Sequence, residues 1–163
     1  MKLFIKDSLS FNTNRFLILD EFEKTRYNVS IEHTTLGQKI EVYEPSDKII
    51  AKIYERGIFS FKTYNILSEY HSVLILANFS KSKPLFYISN LKWFFRGEVL
   101  SKNFDILNVD KSVVMSHLAR WSSHGYGYEI NIFDNKNEIL CLCIALCIDT
   151  FTLGDIKVEA QLN

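Results

Sequence analysis

One short pattern recurs along most of this 163-residue chain: a bulky residue, usually aromatic, then any residue, then Ile or Val. It stands at Phe16-x-Ile18, Ile40-x-Val42, Tyr64-x-Ile66, Phe86-x-Ile88, Phe104-x-Ile106 and Tyr128-x-Ile130. Successive units are 24, 24, 22, 18 and 24 residues apart. Self-similarity at such a period marks a repeated supersecondary unit. In most units a polar turn follows, then a second alternating segment. Asp20-Glu21 leads to Tyr27-x-Val29-x-Ile31, and Glu44 to Asp47 leads to Ile49, Ala51 and Ile53. Alternation of period two in β-branched and aromatic residues, bounded by turn residues, reads as half-buried strands. A step of about 24 residues holds two strands of about six residues and two short turns, so each unit is a β-hairpin.

Twelve strands follow, at 2–6, 15–20, 26–32, 39–44, 49–55, 63–68, 72–79, 85–89, 93–99, 103–108, 112–119 and 127–133. After them comes the polar stretch Asp134 to Glu138, in which Asn135 and Glu138 have capping-box spacing. The longest apolar run follows, Ile139 to Ile148. It has no polar face, and a helix that is apolar all round has to be enclosed. Twelve strands about 4.8 Å apart and tilted about 40° close into a barrel roughly 24 Å across. Side chains fill the interior unaided at about eight strands, so twelve leave a central space roughly the width of one helix, about 10–12 Å. The expected fold is mainly β: a closed twelve-stranded antiparallel barrel of hairpins around one buried hydrophobic helix at about 136–149, in a single domain spanning 1–163. The tail 150–163, with Ile156-x-Val158-x-Ala160, predicts an added edge strand or a docking arm.

The last third carries Trp93-Phe94-Phe95-Arg96-Gly97-Glu98-Val99, Phe104-Asp105-Ile106, Arg120-Trp121-Ser122-Ser123 leading to Tyr128-Glu129-Ile130, and Asn137-Glu138-Ile139-Leu140 running to Ile148-Asp149. In this order these stretches resemble the LURP-one-related family, within the Tubby C-terminal-like superfamily that includes the phospholipid scramblases. The resemblance covers about residues 1–149 and points to a short, bacterial-type member. It implies the same barrel around a C-terminal helix. It also implies binding to phosphoinositides or membrane surfaces, as in some relatives, and no settled activity for the short members. Three departures stand out: three thiols in the helix, the Gly-rich segment His124-Gly125-Tyr126-Gly127, and the tail.

Composition removes several function classes. Lys plus Arg and Asp plus Glu both number 19, so there is no overall basic footprint for nucleic acid. The apolar start Leu3-Phe4-Ile5 is too short for a signal-peptide core, and the ten-residue run falls short of the about 20 needed to span a bilayer. Cys141, Cys143 and Cys147 all lie in that run, which is no disulfide framework and points to reduced thiols in the cytoplasm. As buried small hydrophobes they pack the core, since a thiolate metal site needs ligands converging from more than one element. None of His33, His71, His117 and His124 has a second ligand at helical spacing, and no nucleophile elbow, P-loop or zinc-protease motif is present. A strand histidine with a satisfied ring, or an exposed one, is the plainer reading. The segments 57–61 and 125–127 read as inter-hairpin loops whose glycines serve turns. No catalytic residue, metal or cofactor is expected.

One local charge excess remains. Lys81, Lys83, Lys92, Arg96 and Lys102 face only Glu98 between 81 and 102, interleaved with Trp93, Phe94 and Phe95. Basic residues beside aromatics suit an anionic lipid surface, at about 1 kcal/mol per charge close to it. The plainer alternative is a solvated barrel face with Trp93 in the core. The expectation is therefore a non-catalytic cytoplasmic binding or scaffold protein, peripheral at a membrane, that touches anionic phospholipid head groups through these five residues. The alternative is a protein–protein interaction module that self-associates and has no lipid role.

Overall fold

The computed structural model describes residues 1–6, 14–58, 61–80, 83–122 and 125–161, with side chains throughout except at 6, 58, 79–80, 83–84, 121–122, 125–126 and 152–161. Twelve strands form one sheet: β1 (Lys2–Lys6), β2 (Arg15–Asp20), β3 (Thr25–Thr34), β4 (Gly37–Tyr43), β5 (Ile49–Ile58), β6 (Phe61–Ser68), β7 (Ser72–Ser80), β8 (Lys83–Ile88), β9 (Phe94–Glu98), β10 (Asn103–Leu107), β11 (Val113–Ser122) and β12 (Gly125–Ile132). A 3-10 turn at Asn135–Asn137 then leads into the helix α1 (Glu138–Gln161).

The sheet order is β8-β7-β6-β5-β4-β3-β2-β1-β12-β11-β10-β9, and every neighbouring pair is antiparallel. The one non-consecutive pairing joins β1 to β12, with Leu3 opposite Ile130 and Ile5 opposite Tyr128. It bends the row of hairpins into a nearly closed barrel whose two ends are β8 and β9.

The repeated pattern explains the wall. Both apolar positions of each unit point inward, so Ile18, Ile40, Ile66, Ile88, Ile106 and Ile130 are all buried, while the residue between them faces out. The turns are local chemistry: between β2 and β3, one Asp20 carboxylate oxygen accepts from the backbone N–H of both Phe22 and Lys24. Gly57 sits at φ +132 where β5 passes the backbone of Phe61 and Lys62, a close approach that a Cβ would obstruct.

The helix fills the barrel. From Leu140 to Phe151 no residue is more than 2% exposed. The stretch from Glu138 to Phe151, about 21 Å at 1.5 Å per residue, matches the height of the wall. Inside a ring of sheet every face of a helix meets side chains, so the absence of a polar face in Ile139–Ile148 is what the position demands.

Four expectations need correction. The expected capping box does not form: Asp134 caps the 3-10 turn that precedes the helix, its carboxylate accepting from the N–H of Lys136 and from Asn137 Nδ2, while Glu138 turns to Arg26 and Tyr27. Gly57, Ile58 and Phe61 are strand residues rather than loop, because β5 runs to Ile58 and β6 starts at Phe61; residues 59–60 lie outside the described residues. Gly125 to Gly127 open β12, with Gly127 opposite Lys6 on one side and Arg120 on the other. The tail forms no edge strand, because α1 continues to Gln161.

Candidate functional site

The barrel is sealed by hydrogen bonds everywhere except between β8 and β9, which have no backbone pairing among the described residues. These strands are consecutive, joined by 89–93, so the seam is a splayed hairpin. Its inner side is closed by rings. Phe86 on β8 and Phe95 on β9 lie 5.6 Å apart between centroids, and Phe86 also meets Phe151 of the helix edge-on at 5.2 Å. Phe95 continues to Phe104, which stacks on His117 at 4.8 Å. Ring contacts of this kind stabilise by about 0.5–1.5 kcal/mol each beyond their buried area, so they hold the two edges together without a ladder.

The outer side is open and apolar. Leu85, Tyr87 and Phe94 are 62%, 64% and 56% exposed. Beside them the surface dips into a cleft of about 670 Å³, whose lining includes Leu91, Lys92, Trp93 and Val109. Other outward positions are mixed: Lys39, Glu41 and Lys52 join in ion pairs, while Leu17, Phe61 and Leu74 are also exposed. Exposed apolar residues next to unpaired strand edges are the features by which a candidate docking surface is recognised.

The five basic residues are not one patch. Lys92 is exposed at the cleft and has no ion pair among the described residues. Arg96 is exposed but committed to Asp105, with Nη2 donating at 2.6 Å and Nε at 3.1 Å. Against the upward push of partial burial, hydrogen bonds from Ser116 and Arg96 hold the Asp105 carboxyl below its usual range. Lys81 lies outside the described residues, and Lys83 is placed at the start of β8 without a described side chain.

Lys102 is a correction: it belongs to the interior. Its backbone closes the β9–β10 turn at φ +60, and its ammonium turns inward to donate to Asp149 Oδ1 at 2.8 Å and to the Asp149 carbonyl at 3.3 Å. His117 completes the cluster. Its Nδ1 lies 2.9 Å from the Lys102 carbonyl and its Nε2 3.2 Å from Asp149 Oδ2. Burial pushes the Asp149 carboxyl up, but interaction and hydrogen bonding with the neighbouring His117 and Lys102 outweigh it and hold the group below its ordinary value. A fully buried carboxylate on a helix is tolerable only when paired and hydrogen-bonded in this way. The cluster therefore clamps the helix to the β9–β10 turn and to β11. Its members are no more than 8% exposed at the side chain, so a substrate would have no approach to them.

Sequence reasoning found the apolar run but used Asp149 only as its boundary. An acid inside an enclosed helix calls for a buried cation, and that signal points to Lys102 and His117. At the helix start, Glu138 accepts from Arg26 Nε and Nη2 and from the Tyr27 hydroxyl at 2.5 Å, tying that end to β3. On β5 and β6, Lys62 pairs with Glu55 at 3.2 Å beside the buried Tyr64. Burial pushes the thiols of Cys141 and Cys143 up to about 12 and that of Cys147 well above its usual value, which leaves them protonated and unreactive at neutral pH. His124 lies outside the described residues.

A solved structure from Arabidopsis thaliana, the protein AT5G01750, superimposes with a TM-score of 0.56 over 91% of this chain and 89% of that one, at 12% identity. The likeness is one of fold. The uncharacterised protein YxjI of Bacillus subtilis strain 168 is 25% identical over 156 residues, covering 95% of this chain and 96% of its own length. The profile of LURP-one-related proteins matches residues 1–149, which takes in all twelve strands and most of the enclosed part of the helix. The chain thus belongs to the LURP-one-related family.

Proposed function

We propose that this protein is a non-catalytic, cytoplasmic binding protein that meets anionic phospholipid surfaces with the β8–β9 seam. The observation that carries the reading is the exposed trio Leu85, Tyr87 and Phe94 beside the unpaired Lys92. Amphipathic aromatic tips favour the boundary between head groups and acyl chains, and a nearby lysine adds about 1 kcal/mol at an anionic surface. Arg96 contributes less than its sequence position suggests, because Asp105 neutralises it. No helix of the described residues is long and apolar enough to cross a membrane, so the reading is one of contact from the side.

Sedimentation with phosphatidylcholine vesicles, with and without 30% phosphatidylglycerol, tests it (about 1 kcal/mol per charge is at stake). Binding should require the anionic lipid and fall in Lys83→Glu plus Lys92→Glu. Equal recovery with both vesicle types, or no effect of the double substitution, refutes the reading. If the seam instead pairs with a second copy, light scattering will report a dimer that Phe94→Asp dissociates.

A further inference from the structure

We propose that the seam cleft is a binding site for a single-chain anionic amphiphile, a molecule with one acyl chain and one negatively charged head. This rests on the reading of the seam as a lipid-facing surface and names what that surface takes up.

The argument starts from the lining. The cleft is walled by Leu85, Tyr87 and Phe94 and floored by Phe86 and Phe95. Among the described residues that line it, Lys92 is the one charged residue and none is a carboxylate. Its volume of about 670 Å³ is of the size that holds small molecules, which span roughly 300–1,000 Å³. An apolar trough with one cation at its margin is complementary to an apolar chain ending in one anion. A neutral chain would leave Lys92 unused, and a polar ligand would leave the aromatic floor unsatisfied.

An acyl chain also fits the seam better than a peptide strand does. A strand added between β8 and β9 would send alternate side chains inward. That space is already filled by the contact between Phe86 and Phe95 and by Phe151 behind them. An acyl chain has no side chains and needs no backbone partners, so it can lie on the ring floor without displacing it. Each methylene it buries should tighten binding about fourfold.

Isothermal titration with monomeric decanoate tests this, with decyltrimethylammonium as the charge-reversed probe. Decanoate should bind saturably at one site per chain. Lys92→Glu should weaken it about tenfold, since an exposed pair is worth up to about 1 kcal/mol and its reversal adds repulsion. Phe94→Asp should abolish binding. Both positions are exposed, and unchanged thermal melts will show that the variants remain folded. No saturable binding, binding unchanged in Phe94→Asp, or equal binding of the cationic probe overturns the proposal. Vesicle sedimentation separates the two ideas: vesicles bound without decanoate binding sinks the cleft and leaves the surface reading, and the converse sinks the surface reading alone.

Discussion

Replacing Asp149 by Ala removes the carboxylate from the interior cluster and strands the Lys102 ammonium beside His117 with its main counter-charge gone. Both side chains of the Lys102–Asp149 pair are buried, at 8% and 0% exposure, so water cannot take over from Asp149. Breaking a buried pair from one side costs about 3–5 kcal/mol. In a protein of this size each kcal/mol moves the melting temperature by about 2–4 °C, so Asp149→Ala should melt about 6–20 °C lower. The pH dependence has a definite sign. The folded-state pKa of Asp149 is depressed, so its stabilisation is fully present above the unfolded value of about 4 and is lost as pH falls through the folded value. Asp149→Asn should therefore be less stable than wild type at pH 7 and lose less on acidification. The assay is thermal unfolding by circular dichroism at pH 7, 5 and 3, in a double-mutant cycle with Lys102→Met. A coupling of at least about 1 kcal/mol is expected for groups in direct contact. Asp149→Ala melting within about 1 °C of wild type, or a coupling near zero, would refute the clamp.

The remaining predictions concern the axle and the wall. Ile144→Asp places an unpaired charge at a fully buried helix position and should prevent folding, read as loss of soluble protein and of the cooperative melt. Phe151→Ala removes the ring against Phe86 and should cost about 3–5 kcal/mol in denaturant unfolding, part of it by loosening the seam. The three thiols should resist a thiol-specific reagent at pH 8 until denaturant unfolds the chain; rapid labelling of the native protein would contradict their burial. Gly57→Ala, at φ +132 against the Phe61 backbone, should lower stability by about 1–3 kcal/mol.

The wall was legible because burial on one face writes period-two alternation into each strand: 2–6 and 15–20 match β1 and β2 residue for residue. The plug was legible because an apolar run with no polar side has nowhere else to go. Four things were hidden. Gly125 and Gly127 look like turn residues, yet their backbone pairs with β11 and needs no side chain to do so. Ile156, Val158 and Ala160 alternate as in a strand, but they follow a formed helix, and extending a helix costs less than nucleating a new element. Lys102 occupies a hairpin turn, where a lysine ordinarily faces water, and only the distant Asp149 turns it inward. The open seam is of the same kind: β8 and β9 carry ordinary strand residues, and the missing ladder depends on how the whole sheet meets itself.

The most direct test of the seam as the lipid-facing surface is hydrogen–deuterium exchange with and without phosphatidylglycerol-containing vesicles. Slowed exchange should concentrate in residues 85–99, on the two unpaired edges and the connection between them, and should vanish when the vesicles are phosphatidylcholine alone. Protection centred on another part of the barrel, or no change anywhere, would contradict the assignment.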